Sequence, residues 1–236
     1  MPDTAVAHPV VSHAEWLEAR KALLAEEKAL TRAHDRVNEA RRALPWERVE
    51  KDYRFEGPDG PLGLAELFGR NSQLVLYHFM FAPGWSEGCK SCSLLADHFD
   101  GIEQHLRHHD VSLAAVSMAP LAELLPFKAR MGWRFPWVSS AGSAFNFDFQ
   151  VSATDADKAC GTQPYNYTTL PGVWGEMPGV SVFTKDDEGT VFHTWSTYAR
   201  GLDILLGVHN FLDLTPKGRN ETTAMDWVRH HDRYTD

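Results

Sequence analysis

Three features of this sequence predict an α/β fold with a long N-terminal helix and an inserted loop region. Ser12 to Ala43 is rich in Ala, Glu, Lys, Arg and Leu, the residues that favour continuous helix. From Trp46 onward, apolar strand-like runs alternate with helical patterns, as expected of a sheet covered by helices. Residues 152–176 interrupt that alternation: the stretch is polar, punctuated by Gly and Pro, and too long for a simple connection. The expected organisation is a helical arm over 1–45 and an α/β domain over 46–236, with 152–176 as an insertion or lid. A chain of 236 residues with 43% apolar composition can bury such a core unaided.

The arm has its own logic. Ser12-His13-Ala14-Glu15 is a capping box, and Pro45 lies just beyond the expected end. Trp16, Leu23, Leu30, Val37 and Leu44 recur every seventh residue with Ala19, Ala33 and Ala40 beside them, a narrow apolar stripe that needs a partner. At 1.5 Å per residue the helix runs about 48 Å, longer than a small domain is wide. Two partners fit the stripe: a second copy of the chain, giving a homodimer, or the helix's own domain.

In the remainder, Val49 to Phe55 reads as a strand, Gly57-Pro58-Asp59-Gly60 as a turn, Leu64 to Phe68 as a short helix and Leu74 to Phe81 as a buried strand. A helix through about Leu106 follows. Val111 to Met118 is a second buried strand and Pro120 to Met131 a helix. Val180 to Phe183 and Val191 to Trp195 form a hairpin across Asp186-Asp187-Glu188-Gly189, and Leu202 to Leu212 closes with a helix.

The chemistry gathers at Cys89-Lys90-Ser91-Cys92, where the first buried strand gives way to helix. A Cys in the first helical turn faces unpaired N–H groups and the positive end of the helix dipole, which favours its thiolate, while the second Cys is close enough to close a disulfide. A strand, a Cys-x-x-Cys helix, a strand, a helix, then a hairpin and a helix is the thioredoxin order. Zinc normally requires a second Cys/His pair at short spacing, and none is present. Three cysteines are too few for a secreted disulfide framework, and the N-terminus lacks the pattern of a signal peptide, so the expected location is cytoplasmic. No apolar run reaches the roughly 20 residues of a membrane span, and a net charge of -9 without a basic stripe argues against nucleic acid.

Met177-Pro178 precedes an apolar strand at the position where thioredoxin-like proteins carry a cis-proline. A cis bond there would set the Met177 backbone beside the sulfurs as a dock for an extended substrate. Trp85, Trp133, Tyr165 and Trp174 are the candidate aromatic walls of the substrate site, and Cys160 a candidate resolving thiol. His78, on the strand before the Cys loop, and His193, on the hairpin, are the histidines this fold could bring to the sulfurs. Together with Cys89 and Cys92 either would make a soft site for copper or zinc. His98 falls off the sulfur face of its helix and reads as a capping or packing residue.

The blocks Gly88-Cys89-Lys90-Ser91-Cys92-Ser93, Ala96-Asp97-His98-Phe99-Asp100-Gly101, Met131 to Ser140, Phe192 to Gly201 and Leu212 to Arg219 resemble the bacterial thioredoxin-like family numbered 899 among domains of unknown function. The resemblance spans nearly the whole chain and implies a dithiol–disulfide oxidoreductase. The chain departs from thioredoxins, which carry Trp before the first Cys and Gly-Pro between the two; here Gly88 precedes Cys89, Lys90-Ser91 lies between, and Trp85 stands further upstream. It also departs from peroxiredoxins: Pro83 is out of step with their proline, while Ser86 can stand for their threonine. Three functions follow. The favoured one is a thiol–disulfide oxidoreductase acting on a small-molecule or protein substrate and needing no cofactor. The second is a copper- or zinc-dependent oxidoreductase or metal-binding protein. The third is an interaction module whose surface is the N-terminal helix.

Overall fold

The computed structural model describes residues 8–235. Contacts divide the chain into two units, up to Pro45 and from Trp46 onward. The first unit is one helix, α1 (His13–Arg42), of 30 residues. Its start is the expected capping box: the Ser12 side chain accepts from Glu15 N, and the Glu15 carboxylate accepts from Ser12 N at 2.9 Å. No residue of α1 is buried, and the stripe stands open, with Leu30 70% exposed. Residues 1–7 of the expected arm lie outside the described residues.

The second unit runs in the order β1 (Glu47–Arg48), β2 (Arg54–Gly57), β3 (Gly60–Gly63), a 3-10 helix (Leu64–Phe68), β4 (Gln73–His78), α2 (Lys90–Ala96), α3 (Phe99–His108), β5 (Val111–Ser117), α4 (Leu121–Arg130) and β6 (Trp137–Ser139). It continues with α5 (Phe145–Asp148), α6 (Asp155–Cys160), β7 (Thr162–Tyr165), β8 (Thr168–Pro171), β9 (Gly179–Lys185), β10 (Val191–Tyr198), a 3-10 helix (Ala199–Leu205) and α7 (Gly207–Asp213). An 8-stranded sheet has the order β1-β10-β9-β4-β5-β6-β2-β3. Its centre is a thioredoxin-like arrangement: β4 lies parallel to β5 and antiparallel to β9, and β9 to β10.

Strand alternation sorts the core. Leu74 and Leu76 of β4 point to one face, with Phe55, Phe68, Val116, Phe145 and Phe183; Val75 and Tyr77 point to the other, with Leu95, Phe99, Leu113, Trp133 and Val180. α2, which carries Cys92, and α3 cover this second face.

Four expectations need correction. Most of the strand expected over Val49 to Phe55 is instead a connection between two strands far apart in the sheet, β1, which ends at Arg48 and pairs with β10, and β2, which starts at Arg54 and lies between β3 and β6. Charged Glu50-Lys51-Asp52 breaks the alternation between them, and Lys51 and Tyr53 turn to Asp148 at 2.7 and 2.8 Å. The helix after Cys89 ends at Ala96 and restarts at Phe99, because the side chains at the break point elsewhere: Asp97 accepts from Trp133 Nε1 at 2.7 Å, and His98 takes up the Leu94 carbonyl and Val208 N. Residues 152–176 are structured, holding α6 and the β7–β8 hairpin, with Tyr165 packed against Val151 and Tyr198. Finally, no peptide bond among the described residues is cis, so Met177–Pro178 is trans. Trans is the default X–Pro isomer. The flanking groups are taken up by the inserted region, Met177 N donating to Val151 O at 2.8 Å and Pro178 O accepting from the Tyr165 hydroxyl at 2.6 Å. The docking role expected of a cis bond is withdrawn.

Candidate active site

β4 delivers the chain to a loop that returns on itself before α2: Cys89 N donates to Met80 O at 3.1 Å. Cys89 then caps α2, its carbonyl accepting from Ser93 N and from the Ser93 hydroxyl, both at 2.9 Å. Glycine is required before it. A Cβ on Gly88 would lie 2.5 Å from the Phe79 ring and 2.9 Å from Phe127, while the Gly88 carbonyl accepts from His230 Nε2 at 2.9 Å. A bulky residue before the first cysteine therefore has no space here.

The two thiols are free and differ in environment: Cys89 is half-buried and Cys92 is 2% exposed, under Tyr77 and Leu95. A hydrogen bond from the Cys92 thiol, backbone N–H groups of Cys92 and Ser91, and the charge of Lys90 together outweigh burial and bring Cys89 down to about 6. Burial, then the neighbouring Cys89, pushes Cys92 well above its ordinary value, against a hydrogen bond from the Tyr77 hydroxyl. Glu87, two residues before Cys89, is occupied by arginines. Its carboxylate is turned to Arg130 at 2.9 Å and to Arg233 at 2.7 Å.

A cavity of about 520 Å³ opens over the pair, lined by Tyr77, Met80, Leu202, Leu206 and Met225 as well as both cysteines and Pro178. A thiol lowered towards its thiolate thus lies beside a thiol held protonated, both at the wall of a mostly apolar space.

With the site described, the chain can be set beside known proteins. The family described as "Bacterial protein of unknown function (DUF899)" matches residues 5–234. The chain belongs to it. No curated protein sequence matches the chain significantly. Among solved structures, the peroxidoxin BcpB of Mycobacterium tuberculosis is 17% identical, with a TM-score of 0.42 over 70% of this chain and 94% of that one. Xanthomonas campestris peroxiredoxin Q is 14% identical, with a TM-score of 0.45 over 70% and 96%. A candidate thiol:disulfide interchange protein DsbE of Chlorobium tepidum is 13% identical, with a TM-score of 0.39 over 70% and 97%.

Not every residue expected at the site of this DUF899 chain is there. Cys89, Cys92 and Pro178 line one cavity. Tyr165, Trp174 and Met177 instead line a second groove of about 400 Å³, which shares Ala199 with the first. Trp85 is 40% exposed and borders neither. Trp133 is core, packed edge-on with Phe79 and Phe127 and tilted against Phe135. Cys160 ends α6 exposed, its thiol donating to Ala156 O at 2.9 Å, and is absent from the cavity lining.

The sheet sets the two histidines of the metal reading apart from the sulfurs. His78 follows Tyr77 on β4 and so points to the opposite face, stacked on Phe145 and hydrogen-bonded to Ser181 Oγ at 2.8 Å. His193 lies on that same face, against Phe183 and Phe149, and bonds Ser196 Oγ at 2.7 Å. Among the described residues no group of three His, Cys, Asp or Glu side chains is gathered to hold a metal. Burial, then His193, drives His78 down to about 3, as suits a neutral hydrogen-bonded core residue. His209 and Arg219 line the cavity and were not singled out from sequence, because nothing in their spacing relates them to the cysteines.

Proposed function

We propose that this chain is a thiol–disulfide oxidoreductase in which Cys89 is the attacking thiol and Cys92 the resolving one. The observation that carries the reading is the asymmetry of the pair: a Cys89 thiol brought to about 6, hydrogen-bonded by a Cys92 thiol held protonated, at the wall of one cavity. The Cys89 thiolate attacks one sulfur of a substrate disulfide, forming a mixed disulfide and expelling the other half as a thiolate, which takes up a proton. Cys92 then loses its proton, attacks Cys89 and expels the second half as a thiol. Two electrons pass from the protein dithiol to the substrate, and the Cys89–Cys92 disulfide is left for an external thiol to reduce. A hydrogen-bonded neighbour that lowers Cys89 in the reduced state also makes it the better leaving group when the exchange runs in reverse.

Trapping tests the assignment. Cys92→Ser should accumulate a mixed disulfide on Cys89 with a small aromatic disulfide reagent, whereas Cys89→Ser should accumulate far less on Cys92. The reverse pattern would exchange the roles, and adducts on neither would end the proposal.

We propose further that the exposed α1 stripe is covered by a second copy of the chain. The helix buries none of its own residues, and the repeat of Trp16, Leu23, Leu30, Val37 and Leu44 is that of helices pairing lengthwise.

A further inference from the structure

His209 is 2% exposed, yet neither of its ring nitrogens has a hydrogen-bond partner within the chain. It lies in α7, its ring 6.4 Å from Trp227, and it lines the same cavity as Cys89 and Cys92. A buried imidazole with both nitrogens unmatched is costly unless something entering the site matches them. Burial, then Arg219, lowers its proton affinity, so at neutral pH it presents one N–H donor and one bare acceptor.

The arginines lining this cavity are matched already. Arg219 donates to both oxygens of Asp213 at 2.9 and 2.8 Å and reaches Asp203 at 3.4 Å. Arg200 donates to Asp203 at 3.2 Å, and Glu221 accepts from Trp227 Nε1 at 2.8 Å. Both lining arginines are thus paired, and Glu221, whose partner is a neutral indole, keeps its negative charge and disfavours an anion. His209 is an unmatched neutral donor–acceptor in a cavity of about 520 Å³ whose lining is mainly apolar, with Ser91, Thr222 and Thr223 adding hydroxyls, a size that suits a small molecule.

We infer that the substrate is a small disulfide with an apolar body and an uncharged hydroxyl or amide group, and that His209 binds that group. The inference rests on the thiol–disulfide reading above and adds the substrate class. In the step, the substrate S–S bond breaks, the Cys89–Cys92 bond forms and two substrate thiols leave.

The test uses the reduced wild-type protein and three disulfides of similar size: hydroxyethyl disulfide, diethyl disulfide and dithiodiglycolate. Each rate of protein oxidation is divided by that reagent's rate with free mercaptoethanol. Hydroxyethyl disulfide should be favoured about tenfold over both others, the worth of one well-made hydrogen bond. His209→Leu should abolish the preference, and His209→Gln, which keeps a donor and an acceptor, should retain it. Equal normalised rates in the wild type, a faster dicarboxylate, or a preference that survives His209→Leu would overturn the inference while leaving the dithiol chemistry standing. Oxidation by none of the three would remove both. Should His209→Leu not fold, the wild-type ranking and His209→Gln still decide.

Discussion

Tyr165 donates its hydroxyl hydrogen to the Pro178 carbonyl at 2.6 Å, and the same oxygen accepts from Ala199 N at 2.8 Å. One side chain from the inserted region thus joins the start of β9 to the segment after β10, beside the cavity that Pro178 and Ala199 both line. Tyr165→Phe should cost about 1–3 kcal/mol, because a carbonyl and an N–H lose their partner. Denaturant unfolding should show a lower midpoint with an unchanged slope. An unchanged midpoint would show that the bridge contributes nothing.

Gly88→Ala should destabilise by about 1–3 kcal/mol through overpacking, since the added methyl would press on the Phe79 and Phe127 rings. It should also slow Cys89 alkylation, because the displaced residue adjoins the nucleophile. Wild-type stability and alkylation rate together would refute the close fit.

Tyr77→Phe removes the hydroxyl that favours the Cys92 thiolate. The expected result is a slower second step: quenched reaction with a disulfide reagent should show more mixed disulfide on Cys89 than the wild type accumulates. Unaltered partition between mixed and intramolecular disulfide would exclude a part for Tyr77 in resolution.

Leu23→Glu with Leu30→Glu should dissociate the proposed dimer, since two carboxylates would then face an apolar seam. Light scattering should give twice the chain mass for the wild type and the single-chain mass for the variant. A wild-type mass near 26.6 kDa would withdraw the dimer and leave the redox proposal untouched.

Much of this fold was legible because its signals are local. The Ser12 capping box, the Cys89-Lys90-Ser91-Cys92 start of a helix and the Asp186-Gly189 turn are written in neighbouring residues. What sequence reading missed depends on the far side of the chain. Nothing in Val49 to Phe55 says that it connects two strands from distant parts of the sheet, nor in Trp137–Ser139 that so short a run is a strand beside β5. The histidine assignment had a usable signal: alternation along β4 places His78 opposite Tyr77, away from the sulfurs. Trp133 and Tyr165 are aromatic and near the site in sequence pattern, yet Asp97 and Pro178 hold them in the structure as supports. His209 became visible only through its unmatched nitrogens.

The most direct test of the Cys89 assignment is the rate of alkylation of each cysteine in the reduced protein across pH, resolved by peptide mass spectrometry. A lowered thiol gains thiolate as pH rises through its midpoint, so Cys89 labelling should climb about tenfold per pH unit below 6 and level off above it. Cys92 should stay slow throughout, and oxidation should protect both together. Equal labelling of Cys89 and Cys92 with a shared midpoint near the ordinary thiol value of about 8.5, or labelling unchanged by oxidation, would contradict the account.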